Sequence, residues 1–100
     1  MPEVELCINS PLSHRMSAKK AGKLLLTEEI AQGETLGDLL CRLESTDPAA
    51  WQNIFDVQKN QMRTVIVTFL NNTILPRAAA LQAPLSDGDQ ITFFLMYAGG

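Results

Sequence analysis

Positive charge, cysteine pairs, histidine and long apolar runs are all scarce in this sequence. Eight Lys and Arg stand against eleven Asp and Glu, for a net charge of −3. The one local basic group, Lys19, Lys20 and Lys23, is too small for the positive footprint that a phosphate backbone demands, so no nucleic-acid partner is expected. The two cysteines, Cys7 and Cys41, lack CxxC spacing. That argues against a zinc or iron–sulfur site and leaves two reduced, partly buried thiols. The only histidine, His14, has no Ser, Cys or acid obviously paired with it, and a catalytic imidazole needs such a partner, so it reads as a solvated loop residue. With no nucleophile, metal or phosphate-binding motif, an enzyme with its own active site is the least favoured class, and no bound cofactor is expected.

The start, Met-Pro-Glu-Val-Glu, has no basic leader followed by an apolar run, and the apolar stretches are too short to cross a bilayer. A cytoplasmic location without a membrane partner is therefore expected. Asn71-Asn72-Thr73 matches the glycosylation pattern, which has no use without secretion. What is present is ordinary globular composition, 46% hydrophobic and 19% charged. Repeats and low-complexity tracts are absent, so residues 1–100 read as one domain burying roughly 60–65% of its unfolded surface.

Val4, Leu6 and Ile8 alternate with Glu3, Glu5, Cys7 and Asn9, the period-two signature of a strand with one buried face. The polar stretch from Ser10 to Gly22 reads as a mobile connection, and Lys23 to about Ile30 as a second strand completing a hairpin. From Thr35 the period changes: Leu36, Leu39, Leu40 and Leu43 make one apolar helical stripe. Thr35 suits the N-cap and Asp38 meets the positive end of the helix dipole, with the helix ending near Glu44. A second short helix is predicted from Asp47 to Phe55, with Pro48 at its first position and Trp51, Ile54 and Phe55 facing the core. Thr64–Leu70 is strand-like, Asn71-Asn72 a two-residue turn, and Ile74-Leu75 a short return strand. Ala78–Pro84 is a loop or a single helical turn. Ser86-Asp87-Gly88-Asp89 is a turn in which the acids bond local backbone, a simpler role than the metal loop whose other ligands are missing. Gln90–Tyr97 is the last strand, and Ala98-Gly99-Gly100 follows as a tail. This order predicts an α+β fold in which a helix covers one face of a mixed sheet, with the first and last strands parallel.

The run Leu85-Ser86-Asp87-Gly88-Asp89-Gln90-Ile91-Thr92-Phe93-Phe94, followed shortly by Gly99-Gly100, resembles the ubiquitin-like β-grasp sulfur carriers, which include the small subunit of molybdopterin synthase and the thiamine-pathway carrier. Thr35-Leu36-Gly37-Asp38-Leu39-Leu40 and Phe69-Leu70-Asn71-Asn72 extend the match, and Ser10–Gly22 is a stretch where this chain looks longer than the family. A chain of average composition ends in Gly-Gly about once in 200. The resemblance implies that the working group is the Gly100 carboxylate. A separate ATP-using activating enzyme would adenylate it, and sulfur transfer would then give a thiocarboxylate for a synthase large subunit or another sulfur-accepting enzyme. Gly99 would be the slender lead-in that a confined active site admits. The Asp47–Phe55 insertion makes the chain look more like the molybdopterin type.

Alternation in the last strand points Ile91, Phe93 and Leu95 to the helix. Phe94 and Met96 then face the open side of the sheet, where Phe69 should join them as an apolar, partner-binding patch. The other reading is that the extra helix or the Ala78–Pro84 loop covers that face. Two functions compete with the carrier: a ubiquitin-like modifier forming isopeptide bonds, and a non-covalent interaction module whose tail is inert.

Overall fold

The computed structural model describes residues 2–9 and 24–95. Strand β1 (Glu3–Ile8) pairs antiparallel with β2 (Leu24–Glu29), and it also pairs in parallel with the last strand, β7 (Gln90–Leu95). On its other side β7 is antiparallel to β5 (Ile66–Leu70), which turns through Asn71 and Asn72 into β6 (Thr73–Leu75). The sheet order is therefore β2-β1-β7-β5-β6, with the last strand in the centre. Both turn asparagines have positive φ, 50° and 74°, the geometry that lets a two-residue loop follow the twist of its strands. The parallel placement of the first and last strands and the mixed sheet match the sequence reading.

One face of this sheet is covered by α1 (Leu36–Thr46), through Leu36, Leu39, Leu40 and Leu43. They meet Val4, Leu6 and Ile8 from β1 and Ile91 and Phe93 from β7 in one buried cluster, each large side chain contributing about 1.5–3 kcal/mol of burial. The start of α1 leaves no amide orphaned. Asp38 N–H donates to Thr35 Oγ1 at 3.2 Å, and Thr35 N–H donates to Asp38 Oδ2 at 3.1 Å. This reciprocal box is more than the dipole contact expected of Asp38. The amides of Leu36 and Gly37 donate to the carbonyls of Ala83 (2.9 Å) and Leu81 (2.8 Å). A Cβ on Gly37 would lie 2.8 Å from that Leu81 oxygen, so the close approach of this loop to the helix requires glycine here.

Beyond α1 the sequence reading needs three corrections. The second helix, α2, covers only Pro48–Trp51, capped by Asp47. Ile54 and Phe55 are buried as expected, but Phe55 belongs to a two-stranded ribbon, β3 (Phe55–Asp56) against β4 (Gln61–Met62). Strands this short have no periodicity to read. Thr64 and Val65 form a turn, closed by Ile66 N–H to Arg63 C=O, so β5 starts two residues late. Of the two open readings for Ala78–Pro84, the helical turn is correct in kind: α3 spans Arg77–Ala80. Cys7 is buried, whereas Cys41 is exposed rather than partly buried.

The Asp87-Gly88-Asp89 turn forms the expected local bonds and several distant ones. Asp87 Oδ1 accepts from Glu3 N–H and Asp89 Oδ2 from Ser86 N–H, while Asp89 Oδ1 accepts from Asn71 Nδ2 at 2.9 Å. Gly88, at φ +87°, donates its N–H to Glu3 C=O. The start of β1, the β5–β6 turn and the start of β7 are thus tied at one point. Among the described residues no helix is long and apolar enough to cross a membrane.

Two measurements check this account. Leu40→Ala, at a fully buried position, is expected to lower unfolding stability by about 2–5 kcal/mol in denaturant titration. The bond from Thr35 N–H, and secondarily the Thr35 hydroxyl, holds the Asp38 carboxyl below its ordinary value of 3.8. A depressed folded-state value means that this stabilisation is present above pH 3.8 and is lost as pH falls through the folded value. The stability gap between the wild type and Asp38→Asn should therefore be full at neutral pH and close below pH 3.8.

Candidate functional site

Alternation sends every second residue of each strand to the face that α1 leaves uncovered. The registers set these residues in a row: Leu25 of β2, Cys7 of β1, Thr92 of β7, Phe69 of β5 and Ile74 of β6. Phe94 and its cross-strand partner Val67 stand in the next row on the same face. Phe69 and Phe94 are diagonal neighbours across β5 and β7, which brings their rings together edge to face at 5.6 Å and 77°. They line a shallow hollow of about 210 Å³ with Thr92 and Asn72.

Phe94 keeps 40% of its surface exposed and Ile74 58%. Ala80, Trp51 and their neighbours in α2 and α3 join the cluster on the α1 side. The reading in which the extra helix or the Ala78–Pro84 loop covers the open face is therefore set aside in favour of an exposed apolar face. Single exposed apolar residues are ordinary, but a contiguous group built around two packed aromatic rings is a feature of binding surfaces. Cys7 lies in this face yet is buried, 4.0 Å from Asn9 Nδ2.

Of the site residues expected from sequence, Phe69 and Phe94 are brought together. Met96, Gly99 and Gly100, like His14, lie outside the described residues. Sequence reading missed Ile74, Leu25 and Val67. Ile74 had a usable signal, because a two-residue turn at Asn71-Asn72 pairs Leu70 with Thr73 and hence Phe69 with Ile74. Leu25 had none, since its neighbours Leu24 and Leu26 are equally apolar. Among the described residues no group of three His, Cys, Asp or Glu is placed to hold a metal ion. Leu95, the last residue of β7, pairs with Ile66, the first of β5, so the chain leaves the sheet at the end opposite the Asp87-Gly88-Asp89 turn.

A five-stranded mixed sheet with parallel terminal strands and one covering helix is the ubiquitin-like β-grasp fold. The chain belongs to the ThiS family, whose model matches residues 18–100. Its members are sulfur-carrier proteins rather than catalysts. The fold is similar to that of SAMP1 from Haloferax volcanii, with a TM-score of 0.71 and 18% identity over 98% of this chain and 99% of that one. It is also similar to small archaeal modifier protein 1 from Methanosarcina acetivorans (0.68, 24% identity, 100% and 98% covered). A chain in the BexX/CysO complex of Amycolatopsis orientalis is a third likeness (0.62, 19%, 95% and 99%). No curated protein matches the sequence.

The two faces of β7 give a direct contrast. Phe93→Ala, at a fully buried position, is expected to cost about 3–5 kcal/mol. Phe94→Ala, one residue on but on the open face, should leave the thermal midpoint within a few degrees of wild type.

Proposed function

We propose that this protein carries sulfur on its C-terminal carboxylate. A separate activating enzyme uses ATP to adenylate Gly100, releasing pyrophosphate. A sulfide-level donor then displaces AMP, so that one C–O bond is exchanged for one C–S bond and a thiocarboxylate results. ATP belongs to the partner, and the carrier itself is a co-substrate acting in the cytoplasm. The observation that carries this reading is the family match, which runs through Gly99 and Gly100. Gly99 serves as the lead-in because a residue without Cβ passes closest to enzyme backbone and phosphates. The Phe69–Phe94 face docks the activating enzyme, and the sulfur-accepting enzyme in its turn, with Met96 proposed as a further contact. The Asp47–Phe55 insertion favours an acceptor of the molybdopterin synthase type, in which the carrier is the small subunit.

A second reading is supported by the fold likeness to small archaeal modifier protein 1: the activated Gly100 is passed to lysines of other proteins. Intact-mass analysis after incubation with activating enzyme, ATP and sulfide separates the two. The carrier reading expects a species heavier by the exchange of one oxygen for one sulfur, located at Gly100 by fragmentation and absent when Gly100 is deleted. Lysine-linked conjugates alone replace it with the modifier reading, and an unchanged terminus leaves a non-covalent module. Phe94→Ala is expected to weaken binding to the activating enzyme by more than about 1 kcal/mol, as for a central aromatic anchor.

A further inference from the structure

Among the described residues, charge is distributed unevenly along the strand axis. The end of the sheet where β1 and β7 begin carries Glu3, Glu28, Glu29, Glu34, Asp87 and Asp89, and the only described cation among them is Arg42. Arg42 is already held by Glu34 at 3.1 Å and Glu28 at 3.9 Å. The opposite end, where β7 finishes against the start of β5, carries Lys59, Arg63 and Arg77. These three line one hollow of about 130 Å³ beneath the β3–β4 ribbon. Asp56 is its one acid, paired with Arg63 at 3.8 Å. Among the described residues Lys59 and Arg77 have no ion-pair partner, and Arg77 donates only to neutral oxygens, those of Met62 C=O and the Gln61 side chain. Two exposed apolar side chains, Val57 and Val65, belong to the same ribbon and turn. In a chain whose net charge is −3, three of the four described cations therefore gather beside the strand end that leads to Gly100.

We propose that this basic corner is a docking and steering surface for a carboxylate-rich rim around the entrance of the activating enzyme. Resting on the function proposed above, it adds what the apolar face does not supply, an orientation. Opposite charge at the two ends of the sheet makes the molecule approach an acidic surface with the end of β7 leading, and such steering raises association rates by about 10–1000-fold when complementary. Exposed charges of this kind act on the association rate more than on the lifetime of the complex. Arg63 is the anchored member, its Nε donating to Gln52 C=O at 2.7 Å. Lys59 and Arg77 are the members with charge to offer.

Stopped-flow association of the activating enzyme with wild type, Lys59→Glu and Lys59→Glu/Arg77→Glu tests this. At about 0.01 M salt, where the Debye length is about 30 Å, the double variant should associate at least about tenfold more slowly and the single variant less so. At about 0.1 M, where that length is about 10 Å, the gap should narrow. Dissociation rates should stay within about twofold of wild type. Lys59 is exposed, so Lys59→Glu should leave the fold intact, and equal thermal midpoints check both variants. An association rate indifferent to these reversals, or a loss equal at both salt concentrations, overturns the proposal. The thiocarboxylate yield at saturating enzyme reads the carrier function separately. It should be the same for all three proteins, and its absence in wild type overturns the function and not merely the steering.

Discussion

The parallel pairing of β1 with β7 joins segments more than eighty residues apart, and the remaining structure is arranged around it. Asp89 C=O receives Glu5 N–H at one end of the pair, and Phe93 C=O receives Asn9 N–H at the other. Parallel strands need a long crossover between them, and everything from β2 to α3 serves as that crossover. Because β7 also pairs with β5, it becomes the central strand. Its inward residues, Ile91 and Phe93, are among the most buried in the molecule. β7, the last described strand, is thus paired on both sides, as is β1.

The helix is fixed onto this sheet less by its own propensity than by its first turn. Thr35 and Asp38 satisfy two amides locally, and the 81–85 segment satisfies two more while Leu85 N–H donates back to Glu34 C=O. A helix end buried without partners would leave several polar groups unpaired. Here a loop from just before β7 supplies the missing carbonyls, so the helix and the last strand are positioned by the same segment. Gly37 is small because that loop passes within a Cβ's reach.

One face of the sheet is committed to α1, and the other carries an apolar group, with a basic corner beside the end of β7. The Phe69–Phe94 pair offers apolar area, whereas Lys59, Arg63 and Arg77 offer charge without a matching set of acids. Under the proposed function the first would set how long a complex lasts, and the second how it is approached. The basic corner lies at the opposite end of β7 from the acid-rich Asp87-Gly88-Asp89 turn, and the aromatic pair lies between the two.

Where a side-chain pattern repeats over a full element, the linear sequence was sufficient. The β1 alternation, the leucine stripe of α1, the Asn71-Asn72 turn and the Asp87-Gly88-Asp89 turn were legible because each is dictated by neighbours within a few residues. Phe69 and Phe94 were assigned to a common face from period two alone, given that their strands are neighbours. The β3–β4 ribbon was not legible, because two-residue strands have no period. Nor was the reason for Gly37, which is a backbone carbonyl forty-four residues away. The joining of Leu25 and Ile74 to the open face, and the gathering of Lys59, Arg63 and Arg77 at one corner, depend on strand register and on how α3 folds back. Those are set by contacts between distant segments, which local sequence does not encode separately and which only the packed tertiary structure decides.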